Sequence, residues 1–332
     1  MKLLIVTQKV DDTDRNLGFF IHWIKKFSEY ADVVVIANEV GPHDLGDKVQ
    51  VFSLGKEKGA SRFARFIRYQ ELLFRLLPDV EGIFFHMCPE YVLGAHFFPV
   101  LAGKKSILWY VHKQVSLRLR LASLFVTKIF TASVSSCRLK SKRVEVVGHG
   151  IPTGLFSGSP ARTDALHLVT VGRIAPVKDL ETIISAFKEL HTAIPSTTLS
   201  LVGEPITKED IVYRDTLQKR APEVQFAGLA YGAVFASGHP FTVFVHASKT
   251  GSIDKAVLEA LSSGLPVFSS SEAFKDTPGV WMFRKGDAHD LAEKIMQAFH
   301  AKRLGVNEIG RRYVSEQHSL DRLIKKIQLF YA

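Results

Sequence analysis

Two cations stand close together in Val169-Thr170-Val171-Gly172-Arg173-Ile174-Ala175-Pro176-Val177-Lys178-Asp179-Leu180. The β-branched run before Gly172 reads as the end of a strand. Ile183, Ile184, Ala186, Phe187 and Leu190 recur at helical spacing, so Lys178 stands at a helix start. Around so tight a loop Arg173 and Lys178 can converge on one diphosphate, the guanidinium as a planar fork and the ammonium as a point charge. The plain alternative is a pair of solvated loop cations. A second stretch runs from Thr250 to Val267 and follows the apolar strand Phe241–His246. Val257, Leu258 and Leu261 fall three and four apart, which predicts a helix from near Ile253, capped by Ser252 or Asp254 and ended by Gly264. A turn containing Gly251 and feeding a helix start presents free backbone N–H groups to an anion. Glu259 follows about two turns later, where a carboxylate can accept hydrogen bonds from sugar hydroxyls or simply stay solvated.

Those stretches need strands to hold them, and the chain supplies them. Strands are expected at 2–7, 32–36, 49–54, 82–86, 106–111, 128–131 and 144–147, with helices from Phe19 to Phe27, at 61–77 and at 90–100. Between Gly148 and Pro160 the chain becomes rich in Gly and Pro, which reads as a linker. A second alternating set follows, with strands at 166–171, 199–202, 224–226, 241–246, 265–268 and 280–283. Its helices are expected near 179–190, 207–219, 253–263 and 287–300. Apolar strands separated by helices give parallel sheets covered on both faces. The fold class is therefore α/β, as two doubly wound Rossmann-type domains facing across a cleft, 1–150 and 151–318. A last helix, 319–332, carries Leu320, Leu323, Ile324, Ile327 and Phe330 on one stripe and is expected to cross back to the first domain.

At 332 residues, 46% of them hydrophobic, the chain is long enough for two cores. No apolar run reaches the roughly 18 residues of a membrane span, and Met1–Thr7 reads as a strand rather than a signal peptide. Two cysteines, Cys88 and Cys137, suggest neither a disulfide framework nor a thiolate metal site, so a cytoplasmic protein is expected. The net charge of +10 is uneven: residues 1–150 hold 22 Lys+Arg against 14 Asp+Glu, and the remainder 21 against 19. From Lys48 to Arg143 the imbalance is 17 against 5, so the first half is expected to meet something acidic. Within it, residues 61–77 place Arg62, Arg65, Arg68 and Arg75 on one side and Phe63, Phe66, Ile67, Leu73, Phe74 and Leu77 on another. Such a helix either covers the sheet or lies on an anionic bilayer.

Three separated segments resemble the family 4 glycosyltransferases of the GT-B fold (glycosyl transferases group 1). They are Val171-Gly172-Arg173 through Lys178, Val144 through Gly148-His149-Gly150-Ile151, and Leu258-Glu259-Ala260 through Gly264-Leu265-Pro266-Val267. The resemblance covers the second domain and linker, and the first domain only in outline. It implies a retaining, metal-independent transfer of a sugar from a nucleotide-diphosphate sugar to a glycan or lipid-linked acceptor of the cell-envelope or extracellular-polysaccharide kind. Arg173 and Lys178 would hold the donor diphosphate and Glu259 its ribose. Gly251, Ser252, Asp254 and Lys255 would form the donor turn. A His near the reaction centre is matched by His112, after the strand Ser106–Val111, with His86 a weaker candidate. Gly18, opening the first helix, resembles the glycine loop that approaches donor or acceptor.

One departure stands out. The family's first Glu, eight residues before the second, is Gly251 here, so its contact to the donor sugar is either missing or supplied by Asp254. That keeps open a non-catalytic nucleotide-sugar-binding protein, and a nucleotide-sugar epimerase on the same fold remains a further alternative. Asp11, Asp12 and Asp14 include an Asp-x-Asp spacing, but acidic loops of this kind are usually solvated, and no metal is expected. Neither first strand–helix turn carries the Gly-x-Gly-x-x-Gly of a dinucleotide enzyme. No nucleic-acid-binding motif accompanies the basic half. Contact with the inner face of a membrane is the remaining expectation.

Overall fold

The computed structural model describes the chain apart from residues 15, 97–102, 157, 161–164, 229–233, 236–239 and 252. It divides into two compact units: Met1–Gly150 with His318–Ala332, and Ile151–Gln317.

The first unit contains β1 (Lys2–Val10), β2 (Asp32–Val40), β3 (Val49–Ser53), β4 (Gly82–His86), β5 (Lys105–Trp109), β6 (Lys128–Thr131) and β7 (Val144–Val146). They form one parallel sheet in the order β3-β2-β1-β4-β5-β6-β7. Side chains of a strand alternate between faces, and each face of this sheet has its own core. Leu3 and Ile5 pack with Trp23 and Ile24 of α1 (Phe20–Phe27) and with Leu323 and Ile327 of α10 (Leu320–Tyr331). Leu4 and Val6 pack on the other face with α2 (Arg62–Leu76), α3 (Pro89–Ala95) and α4 (Leu117–Phe125). The terminal helix is fixed by more than burial. The Tyr331 hydroxyl donates to the Ile83 carbonyl at 2.6 Å, and a Cβ at Gly82 would lie 2.5 Å from the Tyr331 ring.

In the second unit β8 (His167–Val171), β9 (Thr198–Val202), β10 (Gln225–Ala227), β11 (Val243–His246), β12 (Val267–Ser269) and β13 (Val280–Met282) pair in parallel in the order β10-β9-β8-β11-β12-β13. One core lies under α5 (Leu180–Ala193), α6 (Lys208–Arg220) and α8 (Ala288–His300), the other under α7 (Lys255–Ser262) and α9 (Glu308–Gln317). In both sheets the strand order reverses beside the first strand, between β1 and β4 and between β8 and β11. Such reversals open a crevice at the strand C-termini.

Two helices escape the sequence reading, α4 and α9. In α4 the alternation Leu117-Arg118-Leu119-Arg120-Leu121 has the period of a strand, yet Ser116 caps the segment as a helix by accepting from the Leu119 N–H. The apolar side read for α2 is divided in the structure. The helix buries Tyr69, Leu72, Leu73 and Leu76, and Leu77 is buried just after it. Of the apolar side read from the sequence, Leu73 and Leu77 are buried, whereas Phe63 and Phe74 are 74% and 75% exposed. The helix carries two apolar stripes, and the one at positions i, i+3, i+4 and i+7 from Tyr69 takes the sheet.

Candidate functional site

The cation loop is built where β8 and β9 end. Gly172 donates its N–H to Val202 O at 2.9 Å, and Ile174 donates to Glu204 O at 3.1 Å. Gly172 and Gly203 have φ of +148° and +147°, and a Cβ at Gly203 would fall 1.9 Å from the Gly172 carbonyl oxygen. Only glycine allows these two strand ends to touch so closely. A turn over Pro176–Lys178 then brings the Lys178 ammonium back over Gly172, whose built Cβ would lie 3.5 Å from Nζ. Arg173, Lys178 and the β11 end (His246 and Ala247) line one narrow crevice, at the point where the strand order reverses.

Neither cation waits with empty hands. Lys178 Nζ forms an ion pair with Asp254 Oδ2. Asp254 also caps α7, its Oδ1 accepting from the Ala256 N–H at 3.2 Å, and of the two caps expected it is the one the structure describes. His246 Nε2 lies 3.5 Å from the same carboxylate, and its Nδ1 is 2.9 Å from Ser269 Oγ. Burial works to raise the Asp254 carboxyl, but the Lys178 ammonium and then His246 outweigh it and hold the group well below the usual carboxylate range. Arg173 pairs through Nε (2.7 Å) and Nη2 (2.6 Å) with Asp210 Oδ2. Asp210 is buried and also accepts the N–H groups of Ile206 and Thr207 at the start of α6. Burial again opposes ionisation there, and the Thr207 and Ile206 N–H groups with Arg173 keep the pKa lowered.

The other residues of the donor stretch lie on or beside α7. Glu259 is 7% exposed. Lys255 precedes it by one turn, and burial pushes the Lys255 ammonium down to about 7 against the opposing pull of Glu259 and Asp254. Gly251 is exposed, and Ser252 lies outside the described residues. Sequence reasoning missed His246 and Asp210. A polar residue closing an otherwise apolar strand was the available signal for His246, and Asp210 showed only as the N3 partner of Thr207 in a capping box.

The first unit holds the remaining candidates. His112 is exposed just beyond β5, its Nδ1 accepting from the Gln114 N–H at 3.1 Å. It lines a cavity of about 560 Å³ with Tyr110, Glu90 and Arg118. His86 ends β4 inside the core, stacked 3.8 Å from the Phe20 ring, with Nδ1 3.0 Å from Thr7 Oγ1. Gly18 is buried before α1, where a Cβ would meet the Asp14 carbonyl oxygen at 2.5 Å, so its own loop demands the glycine. Lys9 Nζ gathers Asp14 (2.9 Å), Asp11 (3.2 Å) and Glu39 (2.8 Å). Among the described residues no cluster of three His, Cys, Asp or Glu could hold a metal ion. No helix among them is long and apolar enough to cross a membrane.

Residues 165–300 match the family model of the glycosyl transferases group 1. They carry Arg173, Lys178, Asp254 and Glu259, so the resemblance read from the sequence is met in the second unit. A sulfoquinovosyl transferase of Arabidopsis thaliana is 31% identical over 158 residues, which are 44% of this chain and 28% of that protein. The chain thus matches little more than a quarter of this curated relative's length. Among solved structures, sucrose-phosphate synthase from Thermosynechococcus elongatus superposes with a TM-score of 0.74 at 14% identity, covering 100% of this chain and 98% of the other. Anabaena HepE in complex with UDP-glucose gives 0.70 at 16% identity, covering 98% of each. At such identities the likeness is one of fold, and the fold is that of the GT-B glycosyltransferases.

Proposed function

We propose that this protein is a retaining, metal-independent glycosyltransferase that takes its sugar from a nucleotide-diphosphate sugar. The observation that carries the reading is the crevice at the β8/β11 reversal, where Lys178, Arg173 and the start of α7 supply positive charge inside the stretch matched by the family model. HepE, similar in fold, is described with UDP-glucose, which makes a uridine nucleotide the first donor to try. Donor diphosphate oxygens would replace Asp254 as the partner of Lys178 and share Arg173 with Asp210. As the bond to the anomeric carbon breaks, charge builds on the leaving diphosphate. Preorganised cations and helix N–H groups stabilise that charge without reorganising. The acceptor hydroxyl would then attack the oxocarbenium-like carbon from the face the diphosphate leaves, passing its proton to the departing diphosphate oxygen, which gives retention. Gly251, Ser252, Asp254 and Lys255 would line the donor turn, with Glu259 on the ribose. His112 and Gly18 would approach the sugar from the first unit, whose role is to bind a glycan or lipid-linked acceptor. The basic first unit further supports work at the cytoplasmic face of a membrane.

Incubation with UDP-sugars and a lipid extract is the test, with product anomer read by NMR. Lys178→Ala is expected to lower turnover by about 100-fold or more with the fold intact, and excess chelator is expected to leave turnover unchanged. Near-normal transfer by the variant would remove Lys178 from the mechanism, and loss of activity in chelator would count against metal independence. A second reading, a nucleotide-sugar-binding protein without turnover, draws on Gly251 in place of the family Glu and on cations already neutralised by Asp254 and Asp210. Saturable donor binding with no transfer and no epimerised donor would favour it.

A further inference from the structure

On the α2–α3 side of the first sheet lies a cavity of about 890 Å³, within the range of small-molecule sites. Gln8 of β1 and Asn38 of β2 line it from the strands, and Arg62, Arg65 and Phe66 from α2. An amide relay orients one of these cations. Arg65 Nη1 donates to Asn38 Oδ1 at 2.5 Å, Asn38 Nδ2 to Gln8 Oε1 at 3.2 Å, and Gln8 Nε2 to the Cys88 sulfur at 2.9 Å. Arg65 Nε is buried with no hydrogen-bond partner among the described residues. A buried guanidinium N–H left over is costly unless something accepts from it. Arg62, one turn before, has no ion pair among the described residues. Lys56 and Arg118 also line the cavity but are paired with Glu39 and Glu90, each at 2.7 Å. Glu90, the one carboxylate in the wall among the described residues, is thereby spent on Arg118. Two guanidinium groups remain, on one helical face, for an oxyanion able to take several hydrogen bonds.

Helix α2, which carries both arginines, and α4, which carries Arg118, also leave large apolar groups in solvent. Phe63 and Phe74 of α2 are 74% and 75% exposed, and Leu117 and Leu124 of α4 are 71% and 63% exposed. Phe66 lines the cavity and is itself 44% exposed, and apolar surface on the same helix as a basic pocket is chemistry for an amphiphile with a charged head. We propose that this cavity seats the phosphate headgroup of a membrane lipid, with Arg62 and Arg65 on the phosphate and the phenylalanines and leucines in the interfacial layer. That the bound lipid is also the sugar acceptor rests on the transferase reading. The binding does not.

Sedimentation with vesicles of phosphatidylcholine alone, and with phosphatidic acid added, tests the inference. Glycerol 3-phosphate as a soluble ligand and UDP-glucose as a probe of the second unit are run on the same samples. The unaltered protein is expected to sediment only with the phosphatidic acid vesicles. Arg62→Ala with Arg65→Gln should weaken that by about tenfold or more, since each basic contact contributes roughly 1 kcal/mol. Phe63→Ser with Phe74→Ser should weaken vesicle binding as well. UDP-glucose binding should survive in both, which shows that the variants are folded and keeps the donor question separate. Equal or absent sedimentation on the two vesicle types overturns the proposal. So does unaltered binding by the arginine variant. Protection by glycerol 3-phosphate, with the phenylalanine variant still binding vesicles normally, would assign the pocket to a soluble phosphate and overturn the lipid.

Discussion

Asp254 uses one carboxylate twice, capping α7 with Oδ1 and holding the Lys178 ammonium with Oδ2. In Asp254→Asn the cap is kept, because Asn and Asp cap about equally well, but the counter-ion is gone. UDP is then expected to bind more tightly, on the order of tenfold, by calorimetric titration. Weaker binding would mean that Asp254 itself serves the ligand. His318 offers a pH test. Its Nδ1 accepts the His149 N–H at 3.2 Å, and burial pushes its pKa down to about 4. The unfolded chain therefore binds more protons between pH 6.5 and about 4, and the folded state loses stability as pH falls through that window. The loss is on the order of 3 kcal/mol by pH 4. His318→Gln, which keeps an acceptor without a titration, should flatten the fall of Tm from pH 7 to pH 5 relative to the unaltered chain. An unchanged slope would assign the acid sensitivity elsewhere. Arg173 and Lys178 were legible in the sequence because a glycine, a tight loop and a helix start are local signals. Their partners were not, since Asp210 lies 37 residues from Arg173 and Asp254 lies 76 from Lys178. Only the sheet brings such pairs together.

Two glycines facing each other make the β8 and β9 ends one piece. Gly203→Ala would drive a methyl into the Gly172 carbonyl and force the cation loop to move. The expected cost is about 1–3 kcal/mol of stability, with UDP binding falling further than stability does. A variant with normal titration and normal Tm would show that the loop tolerates displacement. Strand recognition from sequence was strong for the same reason that these sheets are stable. Runs such as Leu3–Val6 and Val243–Val245 are buried on both faces and rich in branched side chains. Helices α4 and α9 were harder, because each buries little. Glu308–Gln317 buries only Gly310 and Val314, which leaves no apolar stripe to read. The α2 face was left open because period alone cannot tell which of two apolar stripes meets the sheet.

Across the whole chain, the last fifteen residues belong to the first unit and not to the one they follow. Leu320, Leu323, Ile324 and Ile327 are each buried there, and each contributes about 1.5–3 kcal/mol. A chain ending at His318 should therefore lose most of a typical domain's stability of roughly 5–15 kcal/mol in that unit. Scanning calorimetry is expected to show the first unit's transition abolished, while a transition raised by UDP survives. A first unit that melts unchanged would contradict the packing described for α10. The proposed transfer turns on a diphosphate held by Lys178 and Arg173 at the β8/β11 crevice. Calorimetric titration of UDP-glucose into the unaltered chain and into Lys178→Ala reads that directly. Saturable binding, weakened about tenfold or more in the variant at unchanged Tm, is the predicted result. Absence of saturable heat in the unaltered chain, or equal affinity in the two, would contradict it.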